Sequence, residues 1–368
     1  MIFFVTPTDD AWSMEGYLQQ EGRPLSGRIR ILTYDAIVAQ RRLALGTYVF
    51  AGLDQLTPTE MEIGVRCWQE LSSASADVKL FNDPTRVLLR RRLLETCFSL
   101  GRNTFRVRRA SEFWRRQRFP VFIRPEHEHT GSLTPVLRNR QQLMQALAKA
   151  MLWGFRLRDL IIVEYCHTAD SSGVFREYCA NIVGDTIIPR SLIHNRNWIT
   201  KWGGRIINAE TAEEERDYVL GNPHADWLRQ TFQLANIGYG RIDYGIKNGA
   251  PQVWEINLNP TIAHRPGRPS RATTDERSLL APAREVFRRQ FQAAWEDIDS
   301  AVDPDRTIRL DVSPRQLRRL RAESRLRARL RARATVISQV AYPPIRRLHA
   351  YLVRGEDRDP SSPGTRDG

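Results

Sequence analysis

The residues with the clearest chemical potential lie between Gly238 and Pro260: Arg241, Asp243, Glu255 and Asn257. Arg241 and Asp243 are two apart, as are Glu255 and Asn257, so on extended chain each pair shares a face. Their neighbours Ile242, Tyr244, Ile246, Val253 and Ile256 are apolar, which marks two strands too apolar for an exposed hairpin with solvated charges. Facing carboxylates repel one another unless a cation lies between them. Two carboxylates and an amide oxygen are hard ligands of the kind Mg²⁺ accepts, with phosphate oxygens completing its shell. Arg241, on the face of Asp243, could stabilise negative charge developing in a transition state.

Whether the acids meet depends on the turn between the strands. A two-residue Asn248-Gly249 turn would pair Asp243 with Trp254 and send Glu255 to the other face. A five-residue loop over 247–251 pairs Asp243 with Glu255. Pro251 cannot donate a ladder hydrogen bond, so the longer loop is expected.

The elements that must position these groups alternate in type. Met1–Thr6, Arg28–Thr33 and Gly46–Ala51 read as strands, and Thr57-Pro58-Thr59-Glu60 opens a helix to about Ser72 with Thr57 as N-cap. Strands alternating with helices predict a parallel sheet. Asp83 is expected to cap a basic helix from Thr85 to Leu100, ended by Gly101. Further strands are expected at Phe119–Arg124, Leu160–Glu164, Phe175–Val183 and Thr186–Pro189, with helices at Asn139–Trp153, Ala212–Leu220, Asp226–Leu234 and Glu276–Ile298. From Arg306 to Arg333 there are eleven arginines, with a helix opening at Ser313-Pro314, and the tail 356–368 is polar.

With 368 residues, 41% hydrophobic and 27% charged, the chain has the composition of a soluble globular protein of two or three domains. No run of eighteen apolar residues predicts a membrane span. Met1–Val5 reads as a buried strand rather than a signal peptide, so a cytoplasmic location is expected. Cys67, Cys97, Cys166 and Cys179 form no CxxC pair, which speaks for reduced thiols. The net charge of +14 favours anionic partners. Only Lys79, Lys149, Lys201 and Lys247 are lysines, so arginine can stand where lysine serves in other chains.

The stretch Arg241-x-Asp243 … Glu255-x-Asn257 … Pro260 resembles the signature of the ATP-grasp superfamily of carboxylate–amine ligases. The resemblance runs back to about Phe81 through weaker motifs in the right order. It implies an α/β ATP-grasp fold over 81–265, with two lobes hinged near 164–167. A Rossmann-like pre-ATP-grasp domain over 1–80 would precede it, and a closing helix (266–300) and a basic helical extension with a tail (301–368) would follow. It implies ATP and Mg²⁺, with Mn²⁺ as the alternative cation. Asp243, Glu255 and Asn257 match the metal ligands and Arg241 the transition-state arginine. Arg124, closing Phe119–Arg124, stands where the family has a phosphate-binding lysine. Glu164, Tyr165 and Cys166 fall at the hinge that binds adenine, and Asp170 falls near a ribose-binding acid. Arg176, Arg190 and Lys201 fall in the segment that contacts the γ-phosphate, with Lys201 preferred. Glu126-His127-Glu128-His129-Thr130-Gly131 falls where the family covers the phosphates with a glycine-rich loop; a separate metal site is the other reading of its two His and two Glu.

The implied activity activates a carboxylate as an acyl phosphate for attack by an amine or thiol. The alternatives are a phosphotransferase acting on a hydroxyl, and a non-catalytic nucleotide or polyanion module gripping an anionic partner through its Arg-rich C-terminus.

Overall fold

The apolar N-terminal run becomes the centre of a parallel sheet. The computed structural model describes residues 1–127, 131–200, 204–262, 273–300 and 305–327. In it, β1 (Ile2–Thr6) lies between β2 (Ile29–Thr33) and β4 (Thr47–Phe50), and β4 pairs with β5 (Lys79–Phe81), all parallel. Every residue of β1 is buried, as a parallel strand covered on both faces requires. β3 (Arg42–Ala44) stands apart, paired with β14 (Thr307–Arg309). Helices α1 (Trp12–Gln19), α2 (Tyr34–Gln40) and α3 (Pro58–Ala74) complete this part. The expected cap of α3 is present: Thr57 accepts from Glu60 N–H, and Glu60 accepts from Thr57 N–H.

α4 (Arg90–Ser99) starts later than expected. Asp83 does not cap it. Its carboxylate instead accepts from the Thr85 N–H and hydroxyl, both at 2.8 Å, in a local turn. Such a short-range bond competes with helix propagation, and residues 85–89 stay non-helical.

A small sheet follows, in the order β6 (Val107–Arg109), β8 (Leu160–Glu164), β7 (Val121–Pro125), backed by α5 (Arg140–Leu152). Val121 and Ile123 pack with Leu143, Leu147 and Ile162 in its core, which leaves Phe122 and Arg124 on the opposite face.

The larger sheet is antiparallel. Its order is β11 (Arg205–Ile206), β10 (Thr186–Asn195), β9 (Phe175–Val183), β12 (Tyr239–Lys247), β13 (Ala250–Asn257). Behind it, Tyr178 and Leu192 pack against Tyr218 of α6 (Ala209–Gly221), and Tyr244 lies 5.2 Å from Trp227 of α7 (Ala225–Ala235). α8 (Thr274–Asp297) sends Phe291 and Trp295 into one core with Phe4 of β1 and Tyr239 of β12. Residues 1–313 form one compact unit; in the other, residues 314–327 are helical.

The β12–β13 hairpin corrects the expected turn while keeping the expected pairing. Lys247 pairs with Ala250, so the turn is the two-residue Asn248-Gly249, with φ of 51° and 77°. Both centres lie in the left-handed region that such hairpin turns demand. Pro251 is accommodated opposite Ile246, next to the turn-closing pair, where the ladder alternation of an antiparallel edge strand asks for no donor. A bulge then shifts the register at Trp254, between Val253 (opposite Tyr244) and Glu255 (opposite Asp243). The extra residue returns Glu255 to the face of Asp243.

One asparagine ties the parallel sheet to this hairpin. Asn82, 3% exposed and at φ 67°, donates to Phe50 O (3.0 Å) and Tyr239 O (2.8 Å) and accepts from Gly238 and Tyr239 N–H (2.9 and 3.0 Å). Asn103 similarly exchanges two bonds with the backbone of Val253 and covers the edge of β13. Asn82→Ala removes this partner from three buried backbone groups and one half-buried one. Urea unfolding should show a loss of about 3 kcal/mol, against under about 0.5 kcal/mol if these bonds contribute nothing.

Candidate active site

Strand alternation gathers the polar residues of three strands on one face. Cys179 of β9, Asp243 of β12 and Glu255 of β13 form one cross-strand row; Asn181, Arg241 and Asn257 form the next. Glu177, two before Cys179, lies on the same face. Asp243 and Glu255 are each 4% exposed. The expected convergence of the two acids is therefore in the register itself.

Each acid is held by arginine. Arg241 forks Asp243, Nε to Oδ1 and Nη2 to Oδ2, both at 2.8 Å. Burial alone would lower the Arg241 pKa, but the Asp243 charge beside it raises it. Glu255 Oε2 receives Arg90 at 2.9 Å and Arg124 at 2.6 Å. Arg90, 5% exposed, also donates to the carbonyls of Pro125 (3.3 Å) and Glu126 (2.7 Å). Burial, and then Arg124 beside it, lower its pKa. Asn257 Oδ1 accepts from Asn259 N–H at 2.9 Å, with one lone pair left for another partner.

Above this floor lies a cleft whose walls are aromatic. Phe122, Tyr165 and Trp198 line it, with Trp198 4.9 Å from Phe122 and 5.4 Å from Tyr165 between ring centroids. Phe105 and Trp254 line it from other elements and lie 5.5 Å apart. Arg124, Glu177, Asp243 and Glu255 also face it. A flat apolar ring fits such walls, and an anion with a cation fits such a floor.

Glu164, Tyr165 and Cys166, the expected hinge residues, all line the cleft. The Glu164 carboxylate is turned to Arg106 (2.8 Å) and Arg118 (2.6 Å). Burial would raise its pKa, but the bonds from these two arginines lower it. Burial pushes the Cys166 thiol up, which disfavours a thiolate. Arg176 lines the cleft and is paired with Asp170 and Glu214.

Arg241 and Asn257, in the neighbouring row of the sheet face, do not line the cleft, and two further expected residues are placed elsewhere. Asp170 sits in a surface turn, accepting from Ser172, Val174 and Arg176, and does not line the cleft; Glu177, seven residues on, does, and also accepts from the Thr200 hydroxyl at 2.6 Å. Arg190 donates to Thr261 O (2.7 Å) and Ile262 O (3.0 Å) and stacks over Phe287, away from the cleft lining. Burial, with Arg241 nearby, lowers its pKa to about 10. Lys201 and residues 128–130 lie outside the described residues. In the remainder of that loop, Glu126 pairs with Arg91 (3.2 Å) and Arg109 (3.7 Å).

Three site residues escaped the sequence reading. Arg90 carried a signal: with Leu93, Leu94 and Cys97 it falls at i, i+3, i+4 and i+7, an arginine in the buried stripe of a helix. Glu177 and Cys179 share the i, i+2 spacing of the recognised pairs. With Asp243 they bring ligand atoms within 4.8 Å of one another. Burial, with Asp243 and Glu177 near, holds the Cys179 pKa well above a free thiol's.

No family model and no curated sequence matches the chain. Among solved structures it is similar to a D-alanine–D-alanine ligase from Bacillus anthracis complexed with ATP, with 12% identity over 80% of this chain and 99% of that one, at a TM-score of 0.42. It is also similar to N5-carboxyaminoimidazole ribonucleotide synthetase from Thermus thermophilus, with 16% identity over 70% of this chain and 71% of that one, at 0.43. An L-amino acid ligase from Bacillus licheniformis shows 10% identity over 83% and 78%, at 0.39. These likenesses are distant.

Removing one of the two arginines on Glu255 leaves its buried charge less compensated. Arg90→Met should cost about 3 kcal/mol in urea unfolding, and Arg124→Met, more exposed, about half that. Equal and negligible losses would show that Glu255 does not depend on either.

Proposed function

We propose that this chain is an ATP-grasp enzyme that uses Mg-ATP to activate a carboxylate for attack by an amine or thiol. The observation that carries this reading is the side-by-side placement of Asp243 and Glu255 on the floor of a cleft with aromatic walls. Two like charges are held together there, and each already attracts a guanidinium.

The residues fit a divalent cation by their chemistry. Asp243 and Glu255 offer carboxylate oxygens and Asn257 an amide oxygen with a free lone pair, the hard donors that Mg²⁺ prefers. When bound, Mg²⁺ would neutralise triphosphate charge and polarise the bond to the transferred phosphoryl group.

The chain's own groups then have separable tasks. Phe122, Tyr165 and Trp198 enclose the base, and Glu177 accepts hydrogen bonds from the ribose hydroxyls. Arg124 and Lys201 contact phosphate oxygens, with Arg124 bidentate where it turns from Glu255. A substrate carboxylate attacks the γ-phosphorus; the bond to ADP breaks and an acyl phosphate forms. The amine attacks the acyl carbon, inorganic phosphate leaves, and the amine sheds its proton. Arg241 stabilises the oxyanion of that second step. Positioning and electrostatics supply the rate without a covalent enzyme intermediate.

The test is phosphate release from Mg-ATP across a panel of carboxylic acids and amines. One acid–amine pair should stimulate release and yield an amide, and Asp243→Asn and Glu255→Gln should each lower the stimulated rate by about 100-fold or more. A stable phosphorylated hydroxyl product would replace the ligase by a phosphotransferase. Stimulated release unchanged in both variants contradicts the reading.

A further inference from the structure

Asn181 is the most anomalous polar residue on the site face. It is 0% exposed, and both its amide nitrogen and its amide oxygen find no hydrogen-bond partner among the described residues. An unsatisfied amide in a core is costly, and a leucine, with the same branching but no polar atoms, would avoid that cost. Its place explains what it is for: Asn181 lies directly opposite Arg241 across the β9–β12 ladder, on the same face. Side chains so paired have Cβ atoms about 4.5–5.5 Å apart.

Arg241 needs a second acceptor if the proposed function holds. In this structure its Nε and Nη2 are both spent on Asp243. When Asp243 serves a divalent cation, its carboxylate charge is shared and the cation repels the guanidinium. The other groups around Arg241 are poorly placed to receive it. Asn257, its partner on the β13 side, already accepts from Asn259 N–H and is itself assigned to the cation. Arg190 is a like charge nearby. Glu255 is occupied by Arg90 and Arg124. Among the described residues on this face, the free Asn181 carbonyl oxygen is the neutral acceptor left.

We infer that Asn181 is a positioning residue that receives Arg241 when Asp243 takes the cation, giving the arginine two stations: one bridging Asp243 in the resting protein, one braced by Asn181 in the loaded protein. This inference rests on the proposed Mg-ATP reading. It accounts for an amide left unpaired in the resting arrangement, because its partner arrives only in the other.

The test uses the full chain, with Mn²⁺ and a non-hydrolysable β,γ-imido analogue of ATP as probes, and free Mn²⁺ counted by electron paramagnetic resonance. Asn181→Leu should melt at or above the wild-type temperature without ligands, yet bind Mn²⁺ with the analogue about tenfold more weakly. Asn181→Asp sets a carboxylate opposite Arg241 in the resting protein and relieves Asp243. It should bind Mn²⁺ alone about tenfold more tightly than wild type. Wild-type Mn²⁺ affinity in Asn181→Leu, whatever its melting temperature, marks a residue bridged by structural water and overturns the inference. So does Asn181→Asp without tighter Mn²⁺ binding. A wild type that takes up no Mn²⁺ with the analogue overturns the Mg-ATP reading as well, which separates the two failures.

Discussion

The structure depends on keeping two carboxylates adjacent where neither is solvated. Asp243 and Glu255 are opposite one another in neighbouring strands and almost fully buried. At a separation of about 5 Å and an effective dielectric constant of about 20, two such charges repel by about 3 kcal/mol. That repulsion exists only because a bulge spends one residue to bring Glu255 to the face of Asp243. The protein answers it with guanidinium groups from three separate elements: Arg241 on the same strand, Arg124 on the small sheet and Arg90 at the start of α4. The Arg90 and Arg124 pairs therefore also tie α4 and the small sheet to the larger sheet, and any cation entering the site must compete with them.

The scaffold around this arrangement uses backbone-satisfying amides rather than further charge. Asn82 closes the junction between the parallel sheet and β12, and Asn103 closes the free edge of β13. Both asparagines reach across chain separations of about 150 residues or more to satisfy peptide groups that would otherwise be buried unpaired. Behind the sheet, the aromatic packing of Tyr178, Tyr218 and Tyr244 leaves the site face as the one that carries polar chemistry.

Much of this was legible in the residues. The i, i+2 spacing of Arg241/Asp243 and Glu255/Asn257 placed each pair on one face, and apolar runs such as Leu160–Glu164 marked buried strands with the observed bounds. The hairpin was harder. Pro251 argued against a two-residue turn, but edge-strand alternation tolerates a proline there, and a bulge produced the pairing that the longer loop had been needed for. Bulges leave no sequence signature of their own. Residues 85–89 read as helix because periodicity cannot see that Asp83 bonds locally to Thr85. Asp170 was placed by its position along the chain alone, whereas strand alternation turns Glu177 to the cleft. Long-range partners such as Arg90 with Glu255 are 165 positions apart, and only the fold brings them together.

The most direct measurement is anomalous diffraction from crystals grown with Mn²⁺ and a non-hydrolysable ATP analogue. The account predicts a manganese peak bounded by Asp243, Glu255 and Asn257, with the base between the aromatic walls of the cleft. Nucleotide density elsewhere, or a cleft whose two acids keep their arginines with no metal between them, would contradict it.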